Sequence, residues 1–262
     1  MREFTENFSE TSHQEQQAEL PPRCDDAITN KKIDENIDID RIIENLSILG
    51  NGDKEHQREL VRSLTRLVIE LKEQLPHYDT ILSDDASGRL VSLFLREIIN
   101  RKKAESKKTP VQTFFIAGGR GSDMTSDAID KFITKEKPSL GKTLLVTEYM
   151  KTGESINYLV EKLEKQEVNF DVASLSISDE FLDDHIRGKN DEIKNLIKRL
   201  KYGDKNEIGL HVFYAKPFTG IKKGQTRETS AHPSKNPHHK QVDIRKARLD
   251  IQLLADEISK LA

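Results

Sequence analysis

Residues 144–155 read LLVTEYMKTGES, a short apolar run that passes through one acidic residue into a polar turn with a glycine. The apolar run predicts a buried β-strand, and the residues from Ser155 onward have the spacing of an amphipathic helix. A strand that leads into a helix through a tight turn is the first half of a βαβ unit. The stretch therefore predicts an α/β fold, with one polar turn at the end of a strand.

The same alternation of strands and helices continues along the middle of the chain. Strands are predicted at 78–83, 111–117, 143–146, 170–177 and 209–215, and helices between them at 89–101, 126–134, 155–166 and 184–200. The strands are continuous apolar runs, which is typical of strands that helices cover on both faces. The predicted fold class is α/β, a mostly parallel β-sheet flanked by helices, with helical N-terminal and C-terminal extensions.

Composition divides the chain into four parts. The 262 residues are 33% charged and only 35% hydrophobic, so part of the chain is expected to lie outside the core. Residues 1–36 are polar and acidic and are predicted to be disordered, and residues 37–75 are predicted to form a helical extension. Residues 76–215 carry the α/β pattern, and residues 216–262 read as a basic loop followed by a C-terminal helix.

Charge is unevenly distributed along the chain. Residues 1–40 hold eleven acidic and four basic side chains, whereas residues 216–248 hold nine basic and two acidic ones. Such asymmetry indicates an interaction tail or a nucleic-acid contact, or else two solvated segments that attract each other. Because no Phe, Tyr or Trp follows Phe218 in the basic segment, the most it predicts is non-specific contact with nucleic-acid phosphates.

Cysteine content and hydropathy give expectations for the cellular environment. The single cysteine, Cys24, excludes an internal disulfide framework and fits a reducing compartment. No apolar run approaches the roughly 20 residues that span a bilayer. We therefore expect a soluble cytoplasmic protein with no membrane contact, and the oligomeric state stays open, with a homodimer among the expectations.

The polar turn after the strand at 143–146 has the features of a phosphate site. The start of a helix presents backbone N–H groups and about half a positive charge, which suits a phosphate dianion. Gly153 allows close approach, Thr152 and Ser155 add hydroxyl groups, and Glu148 offers a carboxylate to a sugar diol. The same residues also read as an ordinary helix cap, with Thr152 as N-cap and Glu154 in the first turn. Both interpretations stay open at this point.

A second turn of the same kind follows the strand at 78–83, where residues 84–89 read DDASGR. Its small residues Ala86, Ser87 and Gly88 allow close backbone approach, and Arg89 offers a planar fork to phosphate oxygens. The two aspartates that precede them disfavour a bare anion unless Mg²⁺ or a hydroxyl group lies between. Two such turns could hold two anionic ends of one ligand.

Taken together, the two turns resemble the type I phosphoribosyltransferases. The signature of that family is an apolar strand, two acids, two apolar residues, a variable residue, then Thr-Gly and a small or hydroxyl residue. Here the strand LLV is followed by Thr147, Glu148, Tyr149-Met150, Lys151, Thr152-Gly153 and Glu154-Ser155. The resemblance covers about residues 76–215.

The resemblance implies a ligand and a role for each of these residues. The ligand is phosphoribosyl pyrophosphate, with Mg²⁺ bridging its pyrophosphate and ribose oxygens and no separate set of protein metal ligands. Glu148 would bind the ribose hydroxyls beside Thr147, and Glu148 and Lys151 would be the catalytic residues. The 5′-phosphate would be wrapped by Lys151, Thr152, Gly153, Glu154 and Ser155, and the pyrophosphate by Ala86, Ser87, Gly88 and Arg89. FIAGGRGSD (115–123) would correspond to a mobile loop or to a tight glycine turn.

The chain departs from the family pattern at positions that matter for catalysis. Thr147 replaces the first acid, Glu154 replaces a small residue, and Lys151 stands at the variable position, where the family often has a catalytic acid. A lysine there resembles the purine operon repressors of this fold, which bind the same ligand without turnover. Two hypotheses follow: a phosphoribosyltransferase that transfers ribose 5-phosphate to a nitrogenous base, or a non-catalytic regulator that binds the same ligand and acts on nucleic acid or a protein partner.

Overall fold

The computed structural model describes residues 33, 35–47, 49, 53–116, 123–181, 194–205, 221–222, 232–233 and 241–261. The helices among them are α1 (Ile39–Asn45), α2 (Lys54–Leu71), α3 (Asp85–Glu105), α4 (Asp123–Leu140), α5 (Glu154–Lys165), α6 (Lys194–Arg199) and α7 (Gln241–Ile258). The strands are β1 (Thr80–Asp84), β2 (Gln112–Ile116), β3 (Thr143–Met150), β4 (Phe170–Ile177), β5 (Leu200–Lys205), β6 (Ile221–Lys222) and β7 (His232–Pro233). Single 3₁₀ turns lie at Leu75–His77 and Ser259–Leu261.

Strands β1 to β5 form one sheet in the order β2-β1-β3-β4-β5, and every neighbouring pair is parallel. Helices connect the strands, which confirms the predicted α/β class with a parallel sheet. Four of the five predicted strands appear within a few residues of their predicted bounds. The strand predicted at 143–146 is longer, because β3 continues through Thr147 and Glu148 to Met150.

The fifth strand of the sheet lies in a segment where the sequence pattern predicted no strand. The predicted strand at 209–215 lies outside the described residues, and β5 instead covers 200–205, where the predicted helix reached Leu200. One charged residue of β5 is stabilised by a tertiary contact: Asp204 pairs with Arg66 of α2 at 2.8 Å, and both side chains are largely buried. Gly203 packs directly against the backbone of α2: a Cβ at this position would lie 2.2 Å from the Ser63 carbonyl oxygen, so only glycine fits.

Helices cover both faces of the sheet. On one face, apolar side chains of α1, α2, α3 and α7 pack with residues of β1, β3 and β4. On the other face, side chains of α4, α5 and α6 pack against the sheet, with Leu145 and Val172 as examples of strand residues in that core. This burial on both faces accounts for the continuous apolar runs in the sequence.

The predicted N-terminal and C-terminal helical extensions share the first of these cores. The carboxylate of Asp250 on α7 accepts hydrogen bonds from the backbone N–H groups of Ser47 and Leu49, at 2.8 and 2.9 Å. Ile33, within the segment predicted to be disordered, is buried in the same core. Most of the basic segment lies outside the described residues, and β6 and β7 pair there as a two-residue antiparallel ladder. None of the described helices combines the length and apolar character that a membrane span requires.

Candidate functional site

The strand order reverses between β1 and β3. The chain leaves β1 for β2 on one side of the sheet, and from β3 it continues to β4 and β5 on the other side. In open α/β sheets with this order, ligands bind outside the carboxyl ends of the strands, in the crevice at the reversal point. The helices that follow these two strands, α3 and α5, begin at that edge. The two turns singled out from the sequence therefore flank one crevice.

The first of these turns is helical. Helix α3 begins at Asp85, directly after β1, so Ala86, Ser87, Gly88 and Arg89 form its first turns rather than the loop predicted before the helix. An acidic residue at this position is favoured by the helix dipole. The DDASGR segment thus presents the backbone N–H groups of a helix start directly after the end of β1.

Gly88 brings the start of α3 into contact with β3. A Cβ at Gly88 would lie 2.6 Å from the carbonyl oxygen of Val146 and 3.3 Å from Cα of Thr147. Strand β1 stops pairing with β3 at Ser83, which aligns with Val146, so the start of α3 lies beside β3 at Val146 and Thr147, where this pairing ends. A side chain at this position would have to displace backbone, since the nearest obstructing atom is the Val146 carbonyl oxygen.

Arg89 is half-buried and directed toward β2. Its guanidinium carbon lies 4.0 Å from the centroid of the Phe115 ring, which is a cation–π contact. Phe115 is the second-last residue of β2 and aligns with Ser83 of β1. The Arg89 guanidinium, which was predicted to bind phosphate oxygens, is therefore held at the β2 side of the crevice.

Thr147 and Glu148 are both buried in β3, with only 1% of each exposed. A carboxylate this deep does not reach solvent in this arrangement. Contact between Glu148 and the hydroxyl groups of a ribose therefore requires the groups that cover it to move aside.

The second turn joins β3 to α5. Lys151 and Thr152 are exposed, Glu154 is the exposed first residue of α5, and Ser155 is half-buried. The N-cap of α5 is Gly153, with φ of +75°, and not Thr152 as the ordinary-cap interpretation required. Because glycine has no side chain, the N-cap supplies no side-chain acceptor to the first-turn amides, and only its carbonyl accepts a hydrogen bond, from Asn157 N–H at 2.8 Å. The ammonium of Lys151 lies 3.9 Å from the carboxylate of Glu180, and both are exposed.

Two residues outside the predicted site fix this turn. The hydroxyl group of Ser178 donates to the carbonyl of Lys151 at 2.8 Å and accepts from the N–H of Phe181 at 3.0 Å. The Phe181 ring fills the space behind Gly153, where a Cβ would be 2.5 Å from the ring. The signal available in the sequence was Ser178-Asp-Glu-Phe after a strand, the pattern of an N-capped helix start.

An open cavity of about 570 Å³ lies elsewhere, at the N-terminal ends of α1 and α2. Its lining includes two arginines and the carboxylates of Glu35, Asp38, Asp40 and Glu55. The guanidinium of Arg58 holds the pKa of Asp40 below its ordinary value through a hydrogen bond, and Arg58 also pairs with Glu55. Paired arginines among carboxylates do not favour an anion, so this cavity is unsuited to a phosphate.

Residues 117–122, which hold the glycines of FIAGGRGSD, lie outside the described residues. Among the side chains that the structure describes, no three His, Cys, Asp or Glu residues are grouped so that they could hold a metal ion.

Comparisons with known proteins add one likeness. No protein-family model matches the chain, and no curated protein matches it either. Among solved structures, the chain is similar to a purine phosphoribosyltransferase from Pyrococcus horikoshii Ot3, with 13% sequence identity and a TM-score of 0.28. The match covers 47% of this chain and 76% of that one. A likeness of this size establishes neither a family nor an activity for this chain.

Proposed function

We propose that this chain binds phosphoribosyl pyrophosphate in the crevice between the carboxyl ends of β1 and β3. The observation that supports this most is the reversal of strand order between β1 and β3, with Gly88 of α3 packed directly against β3. Two helix N-termini, each favouring an anion, then flank one crevice. A ligand with a phosphate at each end of one sugar matches two such positions.

The ligand is oriented by the turns that the family resemblance singles out. The 5′-phosphate lies at the start of α5, where Thr152 and Ser155 supply hydroxyl groups. The pyrophosphate lies at the start of α3, with Arg89 beside it. Glu148 accepts hydrogen bonds from the ribose hydroxyls once the groups that cover it have moved.

The residues at the end of β1 fit the Mg²⁺ that this ligand carries. Mg²⁺ is commonly held by one or two carboxylates together with substrate phosphates. Asp84 is the last residue of β1 and Asp85 the first of α3, so two acidic residues stand at the junction where the pyrophosphate is proposed to bind. These two residues would hold the cation, which would neutralise pyrophosphate charge that their own carboxylates otherwise repel.

Two functions are consistent with this ligand. In the first, the chain transfers ribose 5-phosphate to a nitrogenous base: the bond from the anomeric carbon to pyrophosphate breaks, a bond to the base nitrogen forms, and pyrophosphate leaves. In the second, the chain is a regulator that binds the ligand without turnover. Lys151 favours the second, because its exposed ammonium faces Glu180 and this position supplies no carboxylate of its own.

Calorimetric titration with phosphoribosyl pyrophosphate and Mg²⁺ tests the binding site. Thr152→Asp places a negative charge at the start of α5, and we expect it to weaken binding at least about tenfold by repulsion of the phosphate. Thr134→Asp is the matched control, because Thr134 is also exposed but lies in α4, away from the crevice. Equal affinities of the two variants would place the ligand elsewhere.

A second assay separates the two functions. The protein is incubated with the ligand, Mg²⁺ and a panel of nitrogenous bases, and pyrophosphate release is measured. Release that depends on one base identifies a transferase, whereas tight binding without release supports the regulator.

A further inference from the structure

The turn between β3 and α5 is fixed by a segment that follows the neighbouring strand β4. Three hydrogen bonds join Ser178 to this region: its N–H donates to Met150, its hydroxyl group donates to Lys151, and the same hydroxyl accepts from Phe181. Ser178 is buried, with 3% exposed. One hydroxyl group therefore fixes the carbonyl of Lys151 at the beginning of the turn and caps the helical residues that follow β4.

The aromatic ring of Phe181 fixes the other end of the turn. Phe181 is 1% exposed, and its ring lies where a side chain at Gly153 would be, with a methyl group of Leu196 close by. Gly153 has a positive φ, a conformation that glycine adopts without strain. With the ring in place, the backbone of Gly153 cannot collapse inward, and the amides that begin α5 keep their direction.

We propose that Ser178 and Phe181 are positioning residues for the phosphate turn. They hold Lys151–Gly153 in the conformation that directs the first amides of α5 to the ligand, although neither is placed in contact with it. This inference rests on the proposed function, because the ligand is the phosphoribosyl pyrophosphate assigned above. Since the two residues act on the α5 end of the crevice, their effect concerns the 5′-phosphate and not the pyrophosphate.

The test compares two ligands and four variants by calorimetry. The probes are phosphoribosyl pyrophosphate with Mg²⁺ and ribose 5-phosphate, which lacks the pyrophosphate. We expect Ser178→Ala to weaken both by the same factor, about three- to tenfold as for one lost hydrogen bond. Ser178→Thr keeps the hydroxyl group and should restore most of the affinity, and Phe181→Leu should behave like Ser178→Ala. The matched control is Ser92→Ala on α3, because the hydroxyl of Ser92 is buried and has no hydrogen-bond partner among the described residues.

A second readout does not depend on ligand. Amide hydrogen exchange of the free protein should speed up at Phe181 and at residues 152–154 in Ser178→Ala and stay unchanged in Ser92→Ala. If wild type binds and Ser178→Ala binds both probes within twofold of it, or loses affinity only for phosphoribosyl pyrophosphate, the positioning role is wrong. If wild type binds neither probe, the proposed function fails. The exchange rates then decide alone whether Ser178 holds the turn, and unchanged rates would overturn that role.

Discussion

Gly88 and Gly153 look alike in the sequence, as small residues near the start of a helix, but different neighbours require them. Beside Gly88 lies a backbone carbonyl of β3, which cannot yield. Beside Gly153 lies a phenylalanine ring, which can shift at a cost. The sequence alone indicated close approach at both positions but not what approaches. At Gly153 the close neighbour is part of the protein itself, so a substitution there tests packing before it tests ligand binding.

Gly88→Ala tests whether α3 is seated on β3. Alanine favours a helix over glycine by about 1 kcal/mol, but a Cβ 2.6 Å from the Val146 oxygen overpacks the junction by about 1–3 kcal/mol. We expect a net loss of up to about 2 kcal/mol in the free energy of unfolding, measured by urea denaturation. Ser92→Ala on the same helix should cause little change. A Gly88→Ala protein more stable than wild type would show that the contact is absent.

Tyr78 makes the stability of the protein depend on pH in the alkaline range. Its ring is buried and its hydroxyl group donates to Asp171 at 2.9 Å, and burial raises the pKa of Tyr78 well above its ordinary 10.0. The unfolded chain then loses this proton first, so the stability that the neutral hydroxyl contributes is complete below pH 10 and declines as the pH rises above it.

Tyr78→Phe should lower the free energy of unfolding at pH 7 by about 1 kcal/mol and flatten its decline above pH 10. Denaturation at a series of pH values measures both effects. Tyr158→Phe, at a half-buried tyrosine of α5, is the control that should keep the wild-type slope. A slope unchanged in Tyr78→Phe would contradict the assignment.

Among the elements, the strands with apolar sequences were predictable and β5 was not. Residues 170–177 were predicted as a strand and form one with the same bounds, because burial on both faces demands a continuous apolar run. The sequence LKYGDK offers no such run. It pairs with β4 because Arg66 neutralises Asp204 and Gly203 admits the backbone of α2 at Ser63. Arg66 and Ser63 lie more than a hundred residues away in the chain.

Removal of one partner of the Arg66–Asp204 ion pair should therefore destabilise the edge of the sheet at β5. Arg66→Met leaves the largely buried Asp204 carboxylate without its ionic partner, with the Ser63 hydroxyl group and the Lys205 N–H as its remaining donors, which we expect to cost about 3 kcal/mol of the free energy of unfolding. Arg66→Met combined with Asp204→Leu removes both charges and should recover most of that loss. Chemical denaturation of the two variants gives the comparison, and a double variant no better than the single one would refute the pairing.

At the scale of the whole molecule, segments on either side of the sheet-forming region complete one face of the sheet. The predicted helical extensions were correct as helices, but their packing could not be read from local periodicity. Their apolar stripes indicate that they bury a face, and only the fold shows that α1, α2 and α7 bury it in one core with α3. The same holds for the candidate site. The two turns could be predicted from the sequence, whereas the role of Ser178 and Phe181 follows only from the pairing of β4 with β3.

A substitution of Asp250 tests whether its hydrogen bonds hold α7 against the N-terminal helical extension. Asp250→Ala removes the acceptor of the Ser47 and Leu49 amides, and we expect a loss of about 2–3 kcal/mol because the acceptor is charged and buried. Asp256→Ala is the matched control on the same helix, since its ion pair with Arg101 is exposed and worth about 0–1 kcal/mol. Urea denaturation of both variants makes the comparison. Equal stabilities would mean that α7 is not held through Asp250.

The most direct test of the proposed site is a map of backbone amide signals by nuclear magnetic resonance during titration with phosphoribosyl pyrophosphate and Mg²⁺. The proposal predicts that amides 153–156 at the start of α5 and 88–90 at the start of α3 shift together, with one shared dissociation constant. Signals that move only at the opposite edge of the sheet, around Tyr78, or only around the acidic cavity at Asp40, would contradict it.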